Sequence, residues 1–144
     1  MEEKSLLRKV YEQGVALGAC GGFTEATSIR DIIEMLFSPQ GVEFCIKRGF
    51  PSIEMFRQLG AVEDTKPMGV YIDCGEITLE DPKRVFLVGN TFARVLCKAT
   101  QGNVLYLMHG AEATVTADGY SVTRIEKDKN SSCTIDVGEN AVIL

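Results

Sequence analysis

Leu105 to Ile125, LYLMHGAEATVTADGYSVTRI, holds the chain's one histidine, His109. An imidazole that titrates near neutral pH is the usual general base. It needs a nucleophile to activate and a carboxylate to orient it. Glu112 and Asp118 follow it closely, and Tyr106 precedes it. Tyr106, His109 and Glu112 therefore form the candidate ligand face of an enzyme or a small-molecule binder. Spacing along a chain sets no geometry, however, and a lone histidine lacks the partners of a triad. The stronger expectation is a corner residue of a repeating β structure, with no catalytic residue in the chain.

The other chemically capable residues point the same way. Cys20, Cys45, Cys74, Cys97 and Cys133 are odd in number and widely spaced. No C-x-x-C pair occurs, and one histidine completes no Cys/His zinc set at a common spacing. They read as reduced, buried, small apolar side chains. The glycine-rich stretch GACGG, Gly18–Gly22, has the chemistry to offer backbone N–H groups to an anion, or an activated Cys20 thiol. It lacks the G-x-x-x-x-G-K-[ST] pattern, and no strand precedes it. A helix–helix connection is the expected role. Carboxylates pair at Glu63-Asp64, Glu80-Asp81 and Asp136 with Glu139. Glycoside hydrolysis needs two of them facing across a groove, whereas each of these lies by a turn or linker. No metal and no cofactor are expected.

Charge narrows the partner classes. Of 144 residues, 15 are Lys or Arg and 20 are Asp or Glu, a formal charge of −5. Residues 1–62 carry seven basic and eight acidic side chains, and the remainder eight and twelve. Neither part has the cationic excess that phosphate contacts demand, so no nucleic-acid partner is expected. No apolar run approaches the ~20 residues that cross a bilayer. The N-terminus MEEKSLLRKVYEQGV lacks the apolar core and cleavage site of a secretory signal. A cytoplasmic location without a membrane partner follows.

Residues 1–62 read as a small helical head. Leu6, Leu7, Val10, Val15 and Leu17 keep a helical spacing, which predicts a first helix over 2–17 ended by the glycines at 18–22. Ser28 with Asp31 is a capping pair that opens IRDIIEMLF, where Ile29, Ile32, Ile33, Leu36 and Phe37 share one face. Ser38-Pro39 starts QGVEFCIKR, which Gly49 ends. Pro51-Ser52 starts IEMFRQL, with Gly60 as its stop. The amphipathic faces are expected to form the head's own core. Ala61–Pro67 is the linker.

After Pro67 the pattern becomes alternating and β-branched, with glycine or asparagine interruptions. The predicted strands are VYID, EITL, RVFLV, FARVLC, VLYLM, EATVTA, YSVTRIE, CTIDV and AVIL. Val85, Val95, Leu105, Val115, Ile125 and Ile135 recur every ten residues and are all aliphatic. Ile77, Leu87, Cys97, Leu107, Ala117 and Val137 form a second row, broken only at Lys127. Ala93, Ala113 and Cys133 are small and recur at twenty, and Thr114 matches Thr134. A β-solenoid with coils of about 20 residues explains that row through stacked corners. An antiparallel meander or sandwich is the alternative, because Asp118-Gly119 is a hairpin signal. The fold class is therefore α+β: a helical head over 1–62 and a β-solenoid-like repeat over 68–144.

The segments GVEFCIKRGFPSIEMFRQL, GVYID, FLVGNTFARV and LMHGAEATVTADGYSV resemble a group of short bacterial proteins known mostly from their sequences. These share a G-x-E-F-C…F-P-S segment in a helical head and a β-repeat tail. The resemblance spans most of the chain. It implies the architecture and carries no site residue. Some apparent relatives have longer tails, so a full capping coil before Leu144 is not expected.

ENAVIL ends the sequence on an apolar strand, with Ala141, Val142, Ile143 and Leu144 as a candidate assembly edge. Together these readings describe a non-enzymatic interaction or scaffold protein. It is expected to self-associate through its tail into a homo-oligomer, and to display its head to a further protein partner.

Overall fold

The computed structural model describes residues 3–18 and 28–144. These divide into two compact units, one ending at Met68 and the other running from Gly69 to Leu144.

The first unit contains helices α1 (Glu3–Ala16), α2 (Ile29–Leu36), α3 (Pro39–Arg48) and α4 (Ile53–Val62). Their starts are local chemistry. Ser28, Ser38 and Ser52 are extended N-caps whose hydroxyls accept from the N–H groups of Asp31, Gly41 and Met55 at 3.1–3.2 Å. Each such cap is worth about 1 kcal/mol over alanine. Pro39 occupies the first turn, where its missing N–H costs nothing. Gly49 ends α3 in the left-handed region at φ 63°, its N–H donating to the Cys45 carbonyl at 2.8 Å. Glu3 accepts from the Ile29 N–H at 3.1 Å, a carboxylate at the positive end of α2. Leu6, Val10, Ile29, Ile32, Ile33, Leu36, Met55, Phe56 and Leu59 are buried.

Gly60 does not stop the last helix, contrary to the reading above. α4 continues through it to Val62, and Glu63 caps it with an N–H to the Leu59 carbonyl at 3.1 Å. A helical glycine costs only about 1 kcal/mol, less than the buried face of α4 provides. A single 3₁₀ turn, Lys66–Met68, follows.

The second unit is a β-solenoid. Its strands are β1 (Val70–Ile72), β2 (Gly75–Glu80), β3 (Arg84–Val88), β4 (Thr91–Cys97), β5 (Gly102–Met108), β6 (Glu112–Ala117), β7 (Val122–Lys127), β8 (Ser132–Val137) and β9 (Val142–Ile143). Odd strands form one sheet in the order β1-β3-β5-β7-β9, and even strands a second in the order β2-β4-β6-β8. Every pairing is parallel. Each coil contributes one strand to each sheet, so parallel neighbours are successive coils.

The inward rows fill the space between the sheets. Val85, Leu87, Val95, Cys97, Leu105, Leu107, Val115 and Ala117 are buried in one core. Ala93 stacks on Ala113, and Ala113 on Cys133, which is the small-residue row of the sequence. From β3 onward the register advances by twenty, as in Arg84 with Val104 and Glu112 with Ser132. The first coil is shorter. Val70 pairs with Phe86 and Gly75 with Thr91, each sixteen residues on. Ile77 therefore stacks on Ala93, not in the Leu87 row where the ten-residue spacing put it.

Asp118-Gly119 is a corner between the two sheets, not a hairpin. Hairpin and corner share one requirement, a positive φ, and Gly119 has φ 61°. Stacking adds a second requirement. A Cβ at Gly119 would lie 2.7 Å from the Lys98 carbonyl oxygen of the coil below.

Candidate functional site

The corner at His109 is built by aspartate. His109 has φ 60°, at the place that Gly89, φ 67°, takes one coil earlier. Histidine tolerates this region better than most side chains. The His109 N–H donates to Asp128 Oδ2 at 2.8 Å, and the Gly110 N–H to Ser131 Oγ at 3.3 Å. Asp128 Oδ1 also accepts from the Asn130 N–H at 3.1 Å and from Ser131 Oγ at 2.8 Å. One carboxylate thus secures its own corner and the corner of the preceding coil.

The same device recurs. Asp73 Oδ1 accepts from the Asn90 N–H at 2.8 Å. Asp81 Oδ1 accepts from the N–H groups of Lys98 and Ala99 at 2.8 and 3.0 Å. Those two amides hold the Asp81 carboxyl below the ordinary carboxylate range, with the Lys98 charge assisting. Corner carboxylates here satisfy backbone donors, which is structural work.

Tyr106, His109 and Glu112 fall on different parts of the solenoid. Tyr106 lies between inward Leu105 and Leu107, so it faces outward from the odd-strand sheet. Its ring packs on Phe86 with centroids 4.9 Å apart, and burial raises its phenol, with Glu126 adding to the effect. Glu112 lies between inward Ala111 and Ala113, so it faces outward from the even-strand sheet. The core separates the two side chains, and His109 occupies the corner between their strands. The fold does not bring these three into one pocket.

Around Glu112 the outer surface of the even-strand sheet is a shallow depression of about 570 Å³, floored by Phe92 and Arg94 between Glu76, Thr78 and Thr114. The sequence reading missed it. Phe92 is an apolar residue in an outward row, and that misfit was its only signal.

Cys45, Cys97 and Cys133 are not poised as nucleophiles. Burial pushes the Cys45 thiol up to about 12 and raises Cys97 and Cys133 as well. Reactive thiols need the opposite shift. Cys45, Cys74, Cys97 and Cys133 are free. The Gly18–Gly22 proposal, with Cys20, falls on residues 19–22, outside the described residues. Among the described residues, no group of three or more His, Cys, Asp or Glu side chains is placed to hold a metal ion. Likewise, no described helix is long and apolar enough to cross a membrane.

The last described coil of the solenoid differs from all of these. Among the described strands, β8 and β9 are the outer strands at this side of their sheets. Ile135 and Val137 continue the inward rows of Val115 and Ala117, yet are 44% and 47% exposed. Val142 and Leu144 of the predicted assembly edge are exposed, while Ala141 and Ile143 are half-buried against the core. Sequence reasoning found the last segment and missed Ile135 and Val137. An inward position reads as buried until the stack above it is known.

No protein-family model, curated protein or solved structure matches this chain.

Proposed function

We propose that this protein is a non-enzymatic interaction or scaffold protein. Its β tail associates with further copies, and its helical head is the element displayed. The observation that supports this most directly is the fourth coil, where Ile135 and Val137 of the inner row are exposed and β8 is the outermost described strand of its sheet. Free strand edges are templates for pairing, and natural proteins blunt them with charge, proline or a covering segment. Within β8, the one charged side chain is Asp136, and no proline is present. Stacked repeats need their end faces covered, because an end coil otherwise presents core side chains to water. The four free thiols support work in a reducing compartment such as the cytoplasm.

Light scattering on a sizing column, across a wide concentration range, tests this reading. The whole chain is expected to run as an oligomer. Ile135→Lys, which places a charge in the exposed inner row, is expected to shift it to monomer while the melting curve persists. A whole chain that stays monomeric at high concentration would refute the reading.

A further inference from the structure

The outer surface of the even-strand sheet carries a ring and charges that the fold itself does not use. Phe92 is 41% exposed on the floor of the depression around Glu112. Glu76 of β2 and Glu112 of β6 are its neighbours in register on either side. In the next outward row, Arg94 lies between Thr78 and Thr114. Among the described residues, no hydrogen bond or ion pair engages the side chains of Glu76, Arg94 or Glu112. The corner carboxylates of Asp73, Asp81 and Asp128 differ, because each holds backbone amides.

These residue types specify the charge of a ligand. Neighbouring strands lie about 4.8 Å apart, so a group seated on the Phe92 ring has a carboxylate on each side. The face of an aromatic ring attracts a cation, and both carboxylates add to that attraction. An anion is repelled by all three. The rest of the face agrees. Along the outward rows of β2, β4, β6 and β8, the acidic side chains are Glu76, Glu80, Glu112 and Asp136, and the one basic side chain is Arg94.

Arg94 specifies the pattern. Its guanidinium presents five N–H donors to the solvent side of the sheet. An extended chain advances about 6.6 Å every second residue, the same step that separates outward residues along a strand. A segment laid along β4 therefore sets one residue over Phe92, the second after it over Arg94, and the fourth after it over Leu96 beside Glu80. Basic side chains fit the first and third of these places, and an acidic one fits the second. β4 is paired on both sides, so such a segment cannot join the sheet and is held by its side chains. A small ion on so shallow a floor stays hydrated, whereas a segment reaches all three rows.

We propose that the outer face of the even-strand sheet docks an extended protein segment of the pattern basic-x-acidic-x-basic, with its first cation on Phe92 between Glu76 and Glu112. The site lies within the first three coils and stands apart from the self-association proposed above.

Amide NMR titration of the isotope-labelled whole chain tests this with two end-capped peptides, Gly-Lys-Ser-Glu-Ser-Lys-Gly and Gly-Lys-Ser-Lys-Ser-Lys-Gly. The first is expected to shift the amides around Phe92, Arg94 and Glu112, with a Kd of about 1 mM. It should bind about threefold more tightly than the second, although the second carries more positive charge. Arg94→Glu should reverse that preference. Phe92→Leu keeps an apolar side chain without a ring, and should weaken the first peptide about threefold. Residues 92 and 94 are both exposed, and the spectra of the variants report their folding directly. Shifts scattered over the surface, or tighter binding of the second peptide to the parent chain, would mean plain attraction of polycations and overturn the proposal. So would an unchanged affinity in Phe92→Leu, or no shift with either peptide. Cellotetraose, a neutral tetrasaccharide, is the control ligand. Shifts of the same amides by it and not by the peptides would assign the face to a sugar instead. The peptide comparison on the parent chain decides the pattern without any variant.

Discussion

The third and fourth coils of the solenoid share one register and nearly one sequence pattern. Val115 in the third coil is fully buried, and Ile135, its stacked neighbour in the fourth, is 44% exposed. Ala117 and Val137 repeat the contrast. Within a coil, the facing sheet covers an inward residue from one direction only. The coils above and below complete its burial. Hydrophobic stabilisation in this tail therefore belongs to the stacking interface more than to the coil, as expected for quasi-one-dimensional repeats.

The largest test of that contrast is a pair of truncations. Leu105→Ala removes a fully buried side chain from the third coil and is expected to cost about 2–5 kcal/mol. Ile135→Ala in the fourth is expected to cost less than about 1 kcal/mol at concentrations where the chain is monomeric. Urea unfolding of both variants measures the difference. Equal losses would mean that the fourth coil's inner row is as well packed as the third's.

The corners give a smaller contrast. Gly119→Ala meets a positive φ and the fixed Lys98 carbonyl, for an expected loss of about 1–3 kcal/mol. Gly138→Ala meets first the Asp118 carboxylate at 2.8 Å. That side chain is able to rotate away, and the loss should stay under about 1 kcal/mol. The two melting temperatures report directly on which corner is locked by backbone and which by a movable side chain.

The smallest expected effect sharpens the role of the corner carboxylates. Amides of the next coil hold the Asp81 carboxyl below its ordinary value of 3.8. Its ionised form is thus favoured in the folded state. The stability it adds is present above the ordinary carboxylate range and is lost as pH falls through the lowered value. Asp81→Asn should have a lower urea midpoint than the parent at pH 7, and the gap should close under strongly acidic conditions. A gap that persists there would assign the effect to shape and not to charge.

The sequence alone determined the helix starts and the alternation of the tail. A serine hydroxyl and an N–H three residues on lie within one turn, so Ser28, Ser38 and Ser52 announce their helices without help from the rest of the chain. The inward rows were legible because stacking demands like residues at like places, and Ala93, Ala113 and Cys133 show that demand directly. Strand direction, the sixteen-residue first coil, the passage of α4 through Gly60 and the placement of Tyr106 and Glu112 on opposite surfaces were decided by tertiary structure. So was the exposure of Ile135 and Val137. Propensity and turn chemistry act over a few residues, and Asp118-Gly119 satisfies a hairpin and a corner equally well. Whether a residue is buried, and which strand it pairs with, depends on groups sixteen or twenty positions away that only the stacked chain brings together.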